Sequence, residues 1–474
     1  MKLTNKKLII NACISLILWT ATSCQLFSQT QIGTTFSGES ARSYLGSSVS
    51  ISGDGSRVAI GATGNENSKG NVAIYDLIHG EWKQVGSTIE GQVNGGEFGY
   101  SVSLSENGER VVIGTVGYDD YRGAVQVFGF ENGDWTQVGK TLYGEAQSDE
   151  FGSETSISWN GNKIAIGAPG NSNNAYASGQ VKVYVLVIDN WSLMGKFEGE
   201  EMRDEVGSSV SLSGNGLTVA FSGASSVKVY EMLSGSGSWK QLGDSIADAS
   251  TVALSSLGNT IAVGVYSSGE YMVKVFNNKG SNWEQRGSTL VGEKSDDMFG
   301  RGVALTPVGL RLAVGAGRND GNGVDAGHVR IYDFKNDTWT QIGSDIDGDA
   351  AGDRSGEIIA LSADGESLIV GTIFNDKHGE YSGQARVFNI DGQNTNSSRT
   401  TNIQILLSPN PTSGMLLITG LEPTEVRVLN CFGQVVFSEK FTGNELDITT
   451  LVKGVYIVQM VFDGELYSKR LIKK

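Results

Sequence analysis

Trp82-Lys83-Gln84-Val85-Gly86, then Phe98-Gly99-Tyr100-Ser101-Val102-Ser103-Leu104-Ser105, then Arg110-Val111-Val112-Ile113-Gly114, then Gly123-Ala124-Val125-Gln126-Val127-Phe128 make a set of four strand-like words. The set returns every fifty residues or so, and a period of about that size is read as a repeat architecture before any other. The turn glycine after the Ser-Val-Ser-Leu-Ser word falls at Gly55, Gly108, Gly161, Gly216, Gly258, Gly309 and Gly365, which defines seven units. Their spacings by subtraction are 53, 53, 55, 42, 51 and 56 residues. The Trp word occurs only six times, at Trp82, Trp135, Trp191, Trp239, Trp283 and Trp339. The seventh copy stands at the other end of the chain, where Gln29-Thr30-Gln31-Ile32-Gly33 matches Trp135-Thr136-Gln137-Val138-Gly139 with Gln29 in place of the Trp. A strand donated by the N-terminus to the last unit closes a ring and removes free sheet edges. The reading is an all-β protein: a seven-bladed β-propeller over 29–390, closed by an N-terminal strand.

Composition agrees with many short strands and tight turns: 65 Gly against 5 Pro in 474 residues. The net charge of −16 argues against nucleic acid and anionic membranes as partners, and also serves solubility. Lys2, Lys6 and Lys7 precede an apolar run over 8–19, the pattern of an export signal, too short for a membrane span. Cleavage near Ser28 leaves Gln29 first, so 1–28 is expected to be a signal peptide. A cut before Cys24 would make a lipoprotein, but Ala21-Thr22-Ser23-Cys24 lacks the usual leucine three residues upstream. With cleavage at Ser28 only Cys431 remains, so stability must come from packing rather than internal disulfides.

Within a unit the second strand alternates bulky and tiny residues, as in Val58-Ala59-Ile60-Gly61, which lets one neighbouring blade approach closely. The repeated Trp reads as packing between outer strands. Loops between the second and third strands share one face with the links between blades. They carry Asn65, Asn67, Asp119, Asp120, Asn171, Asn173, Asn174, Asn319, Asp320, Asn322, Asp325, Asn375 and Asp376. The links add Asp149, Glu150, Asp204, Glu205, Asp297 and Asp353. Each such residue is what a turn requires, for left-handed backbone and side-chain caps. Together they are candidates for a ligand-binding face, because recognition sits on loops of rigid scaffolds. The fourth unit has a very short loop on this face, 221–227, and the fifth a shortened link, so a groove is expected there.

The words Phe98-Gly99 with Ile113-Gly114, and Phe151-Gly152 with Ile166-Gly167-Ala168-Pro169-Gly170, resemble the FG-GAP repeat of the integrin α-subunit propeller. The resemblance covers most of 30–390 and implies adhesion or ligand binding through the loop face. In that family a calcium loop often joins the first two strands. Here the turn is only Ser52-Gly53-Asp54-Gly55, Ser105-Glu106-Asn107-Gly108 or Ser158-Trp159-Asn160-Gly161, too few carboxylates to surround Ca²⁺. No metal or other cofactor is carried over.

Residues 391–404 read as a polar linker, and 405–474 as short alternating strands of a small immunoglobulin-like β-sandwich. This last segment resembles the type A sorting domain of the type IX secretion system of Bacteroidota. The matching words are Ser408-Pro409-Asn410-Pro411-Thr412-Ser413-Gly414, Asn430-Cys431-Phe432-Gly433-Gln434, Leu451-Val452-Lys453-Gly454-Val455-Tyr456 and the basic end Lys473-Lys474. The resemblance implies that Pro409, Asn410, Pro411, Gly414, Gly433, Gly454, Tyr456, Lys473 and Lys474 form the sorting signal, with the secretion machinery as partner. It also implies passage across both membranes, then removal of this domain and surface attachment or release.

Catalytic signatures are sparse. His79, His328 and His378 stand in different units without a nucleophile motif, and neither a zinc-protease helix nor a phosphate loop is present. The expectation is a non-enzymatic, surface-displayed or secreted binding propeller for a glycan or protein ligand. The competing expectation is a carbohydrate-active enzyme with acids on the loop face, which needs a pair of carboxyl groups at a set separation.

Overall fold

The protein is described here by a computed structural model of residues 29–391 and 406–473, without 224–225, 234–236, 281, 409–411, 420–424, 430–434, 441–442, 444 and 463–464. The expected leader and nearly all of the expected linker lie outside the described residues, as do Pro409, Asn410, Pro411, Gly433 and Lys474 of the expected sorting signal.

Among the described residues, 30–389 form seven antiparallel sheets of four or five strands. The second sheet shows the plan. Phe98–Leu104 pairs with Arg110–Thr115, this with Ala124–Glu131, and this with Asp134–Gln137 and then Leu142–Tyr143. The outer strand is split in two because Gly139 turns it with a φ of +74°. First strands neighbour one another in a cycle: Leu45–Ile51, Phe98–Leu104, Thr155–Ile157, Val210–Leu212, Ala249–Leu254, Phe299–Leu305 and Ile358–Leu361, which returns to Leu45–Ile51. This is the architecture of a β-propeller. In the seventh sheet Thr30 and Gln31 pair with Asn389 and Phe388, and Phe36 and Ser37 pair with Ala385 and Gln384. The N-terminal segment thus supplies the outer strand that Gln384–Asn389 lacks from its own end of the chain.

The tiny residues of the second strands govern how sheets meet. A Cβ on Gly61, Gly114, Gly167, Gly264, Gly315 or Gly371 would collide with the carbonyl oxygen of Gly99, Gly152, Gly207, Gly300, Gly356 or Gly46 of the next sheet. The last of these contacts joins the seventh sheet to the first. The bulky alternates, such as Val58, Ile60, Ile113, Ile164 and Ile166, are buried in clusters that span two adjacent sheets. Burial of this kind contributes about 1.5–3 kcal/mol per large aliphatic side chain and is the main favourable term holding sheet to sheet.

The repeated Trp also links sheets. Each indole Nε1 donates to a main-chain carbonyl of the preceding sheet's outer strand: Trp82 to Ile32, Trp135 to Val85, Trp191 to Val138, Trp239 to Met194, Trp283 to Leu242 and Trp339 to Arg286, at 2.7–3.0 Å. The glycine after the acceptor makes room for the ring, since a Cβ on Gly86 would lie 2.7 Å from Trp135 Cδ1. Gln29 occupies the equivalent place between the sixth and seventh sheets. Its Nε2 donates to the Ile342 carbonyl at 3.1 Å, beside Gly343.

Residues 406–473 form two further sheets. One contains Leu406–Ser408, Met415–Thr419 and Glu445–Asp447; the other contains Val435–Lys440, Glu425–Leu429, Gly454–Phe462 and Glu465–Lys473. They share one core that includes Leu416, Ile418, Val426, Val428, Leu446, Tyr456, Val458 and Leu471, so the pair is a β-sandwich.

Candidate binding face

The two faces of the ring differ sharply. On the face of the first-to-second-strand turns, main-chain bonds run from turn to turn. Gly53 N donates to Glu106 O, Asn107 N to Trp159 O, Trp159 N to Gly214 O, Gly214 N to Ser256 O, Leu257 N to Pro307 O and Asp364 N to Gly53 O, at 2.8–3.4 Å. The Ser256 hydroxyl also bonds the Glu106 carboxylate, which joins the turns of the second and fifth sheets directly. Long cations reinforce the lacing: Arg57 Nη1 reaches Gly108 O at 2.7 Å and Lys163 Nζ reaches Asn215 O at 2.8 Å, each in the next sheet. The turns thus bridge this face with their own main chain, and a cavity of about 410 Å³ between the first and second sheets, lined by Arg57, Asp76, Asn107 and Phe130, opens beside them.

The opposite face carries the longer loops. Each link leaves one residue in the left-handed region just before the next first strand: Tyr44 (φ 50°), Glu97 (58°), Glu150 (55°), Glu205 (49°), Asp248 (59°), Met298 (56°) and Arg354 (52°). Non-glycine residues hold this conformation only where the surroundings over-determine it. Here the preceding sheet's loop does so: Glu97 N donates to Ser68 O, Glu150 N to Tyr121 O, Glu205 N to Ala177 O and Arg354 N to Asp325 O.

Charged groups line this ring, with arginines gathered on one side together with Glu357. Glu97, Glu150, Glu154 and Glu205 belong to the second to fourth sheets and their links, while Arg301, Arg318 and Arg354 belong to the sixth and seventh. Tyr100 feels Arg301 from another part of the ring. Burial first, then Glu150, Glu97 and Glu154, raise the Tyr100 hydroxyl pKa, while Arg301 lowers it. Burial also raises Glu97, Glu150 and Glu357, and it pushes Glu154 up to about 8. Of this group only Glu150 and Glu205 are named from sequence. Glu97, Tyr100 and Arg301 flank Phe-Gly words, a local signal that Glu154, Arg318, Arg354 and Glu357 lack.

The candidate residues named from sequence lie on this same face, in separate loops. Asn67, Asp119, Asp120 and Asp325 have φ between 51° and 62°, the left-handed backbone that turns require. Asn171, Asn319 and Asn375 are buried, and each accepts the N–H two residues on, from Asn173, Gly321 and Lys377. Asn319 and Asn375 also donate to Asp297 and Asp353. Asn174 donates to Gly199 O at 3.0 Å and Asn322 to Gly348 O at 2.7 Å, tying each loop to the adjacent link. Asp320 pairs with Lys294 at 2.6 Å, Asp376 accepts from Tyr381 N, and Asn65 is half-buried in the turn Asn65–Ser68. The link carboxylates Asp149, Asp204 and Asp353 each cap two N–H groups of their own turn. Most of these side chains therefore shape the loops that carry them.

Between the third and fourth sheets the loop face opens into a cavity of about 400 Å³. Its aromatic wall is a cluster in which Phe197 meets Phe221, Tyr230 and Trp239 with ring centroids 4.6–5.5 Å apart. Its polar rim holds Lys196, Glu198 and Lys228. Lys196 pairs with Glu198 at 2.8 Å, and Lys182 with Glu145 at 2.7 Å. The hydrogen bond from Lys182 holds the Glu145 carboxyl down at about 2.

In the C-terminal sandwich, Gly414 sits where a Cβ would meet Thr449 Cγ2 at 2.7 Å, and its N–H is capped by the Thr412 hydroxyl. The Tyr456 hydroxyl donates to Val452 O at 2.8 Å, and Lys473 Nζ donates to Ser413 O, pinning the last strand to the start of the domain. Residues 406–474 match a family described as a secretion system C-terminal sorting domain. The chain is thus an exported all-β protein that is secreted or displayed at the outer cell surface, and its tail engages the secretion machinery.

By fold the chain is similar to hydrazine synthase of Kuenenia stuttgartiensis, at 14% identity and a TM-score of 0.50 over 76% of this chain and 99% of that one. It is also similar to a chain of the mitotic checkpoint complex, at 16% identity and a TM-score of 0.51 over 77% and 96%. The β-propeller domain of Myceliophteria thermophila Cps50 (Swd1) covers 75% of this chain, with 99% of its own length, at 11% identity and a TM-score of 0.49. Identities this low speak for the fold alone. No curated protein matches the chain.

Proposed function

We propose that the seven sheets are the blades of one closed, FG-GAP-like propeller over 29–390, preceded by a signal peptide and joined by the linker 391–404 to an immunoglobulin-like sorting domain over 405–474. The propeller acts as a non-enzymatic binding or adhesion module for a glycan or protein ligand, which meets the loop face. The observation that supports this reading is the asymmetry of the ring: one face is bridged by turn-to-turn hydrogen bonds, and the other presents the longer loops and a desolvated carboxyl at Glu154. Export places such a face where it meets other surfaces.

A second reading, a carbohydrate-active enzyme, is favoured by one group. Glu154 carries a carboxyl raised to about 8 by burial and has no charged partner among the described residues, as suits a general acid. A glycan array and a surface-protein pull-down with the full chain, run with calcium and with chelator, separate the two when paired with incubation on polysaccharides. Binding without cleavage is expected. Release of products that stops in Glu154→Gln would overturn the binding reading in favour of catalysis, and loss of binding on chelation would show a calcium requirement.

A further inference from the structure

A cation recurs at the third position of the third strand, opposite an acid that follows the link glycine. In the third, sixth and seventh sheets the two meet as Lys182–Glu145 at 2.7 Å, Arg330–Glu293 and Arg386–Asp349 at 2.7 Å. In these sheets the loop between the second and third strands is long, running from Ala168 to Gln180, from Ala316 to His328 and from Thr372 to Gln384. In the fourth sheet the loop is cut to the three residues between Ser222 and Ser226. The corresponding cation is Lys228 and the corresponding acid Glu200; no ion pair joins them, and Glu200 instead stays near Tyr230, whose hydroxyl pKa burial and then Glu200 raise. Among the described residues the Lys228 side chain makes no ion pair or hydrogen bond, and it lines the cavity between the third and fourth sheets. One repeated pair has been left open where the overhanging loop is missing.

We propose that this cavity is a binding site for an acidic saccharide, a sugar ring bearing a carboxylate or sulfate, a deepening that rests on the binding reading above. The half-buried rings of Tyr230 and Trp239 provide an apolar wall for the C–H face of a pyranose. Lys228 takes the anionic group in place of the missing pair. The paired Lys196 and Glu198 on the rim offer donors and acceptors to ring hydroxyls. A cavity of about 400 Å³ is at the small end of ligand pockets, the size of a short saccharide and too small for a folded partner.

The test is titration of the full chain with oligogalacturonate, with a chondroitin sulfate hexasaccharide, and with neutral cellohexaose as control. An acidic probe should bind, at least tenfold more weakly in Lys228→Gln, with recovery in Lys228→Arg and weakening at high salt, while cellohexaose does not bind the cavity. Acidic-probe binding unchanged by Lys228→Gln overturns the cavity assignment and leaves the binding reading standing. So does binding of cellohexaose or a surface protein, with no acidic probe bound. Displacement of a bound acidic probe by an acidic peptide of equal charge at equal affinity would overturn the saccharide class. No glycan or protein bound by any part of the chain would sink the binding reading itself.

Discussion

Glycine 167 shows how much one absent methyl group can carry. A Cβ there would strike the carbonyl of Gly207 in the next sheet, so Gly167→Ala must push two blades apart or bend one strand. Overpacking of this kind costs about 1–3 kcal/mol, and thermal unfolding should show a drop of several degrees. The same change at Gly80, which has open space around its Cβ position, should cost less and act only through its φ of +81°. Trp135 is the complementary case. Trp135→Phe keeps most of the ring but loses the donor to Val85 O, and a net loss of about 1 kcal/mol in a denaturation midpoint is expected. Glu154 sets a pH dependence. Its folded pKa is raised from 4.5 to about 8, so its protonated form is favoured by folding. The stability tied to it is complete below pH 4.5 and lost as pH rises toward 8. Glu154→Gln should therefore melt like the parent chain near pH 4 and above it near pH 8. Equal melting of the two at pH 8 would exclude the desolvated carboxyl as the cause.

At the scale of elements, the long loops and the links behave as coupled pairs. Asn174 and Asn322 grip the link that follows their sheet, while the ion pairs Lys182–Glu145 and Arg330–Glu293 tie the same sheets to the link that precedes them. Glu145 is held at about 2 by Lys182, against an ordinary 4.5, so its contribution is present above pH 4.5 and is lost as pH falls through 2. Glu145→Gln should flatten the acid limb of the stability profile between those values, modestly, because the side chain is 38% exposed and screened by solvent. The fourth sheet lacks both parts of the device, and this is the region where the cavity opens.

For the molecule as a whole, closure is the decisive property. The strand Thr30–Gln31 and the contact of Gly371 with Gly46 are what turn a row of sheets into a ring. Deleting residues 29–37 removes the strand pairing, the Gln29 bond to Ile342 and the cover over the edge of Gln384–Asn389. The truncated chain should melt lower and with reduced cooperativity, and its exposed edge should promote self-association measurable by light scattering.

The repeat and the displaced Trp word at the N-terminus were legible because each depends on local pattern. Strand alternation, turn glycines and the match of Gln29 to the Trp stations are written in neighbouring letters. The C-terminal domain was legible for the same reason. What each loop side chain does was not. An asparagine that binds a ligand and one that caps its own turn read alike, and only the folded chain shows Asn171, Asn319 and Asn375 buried inside their loops. The laced face, the ring of seven left-handed residues and the unpaired Lys228 all depend on groups from blades about 40 residues or more apart meeting across a gap, which no local pattern encodes. Sequence alone determined the blade, its repetition and the route of export, since these follow from hydrophobic period and short motifs. Tertiary structure alone decided which face is bridged by its own turns and where cavities open, because those depend on which polar groups the ring has already satisfied.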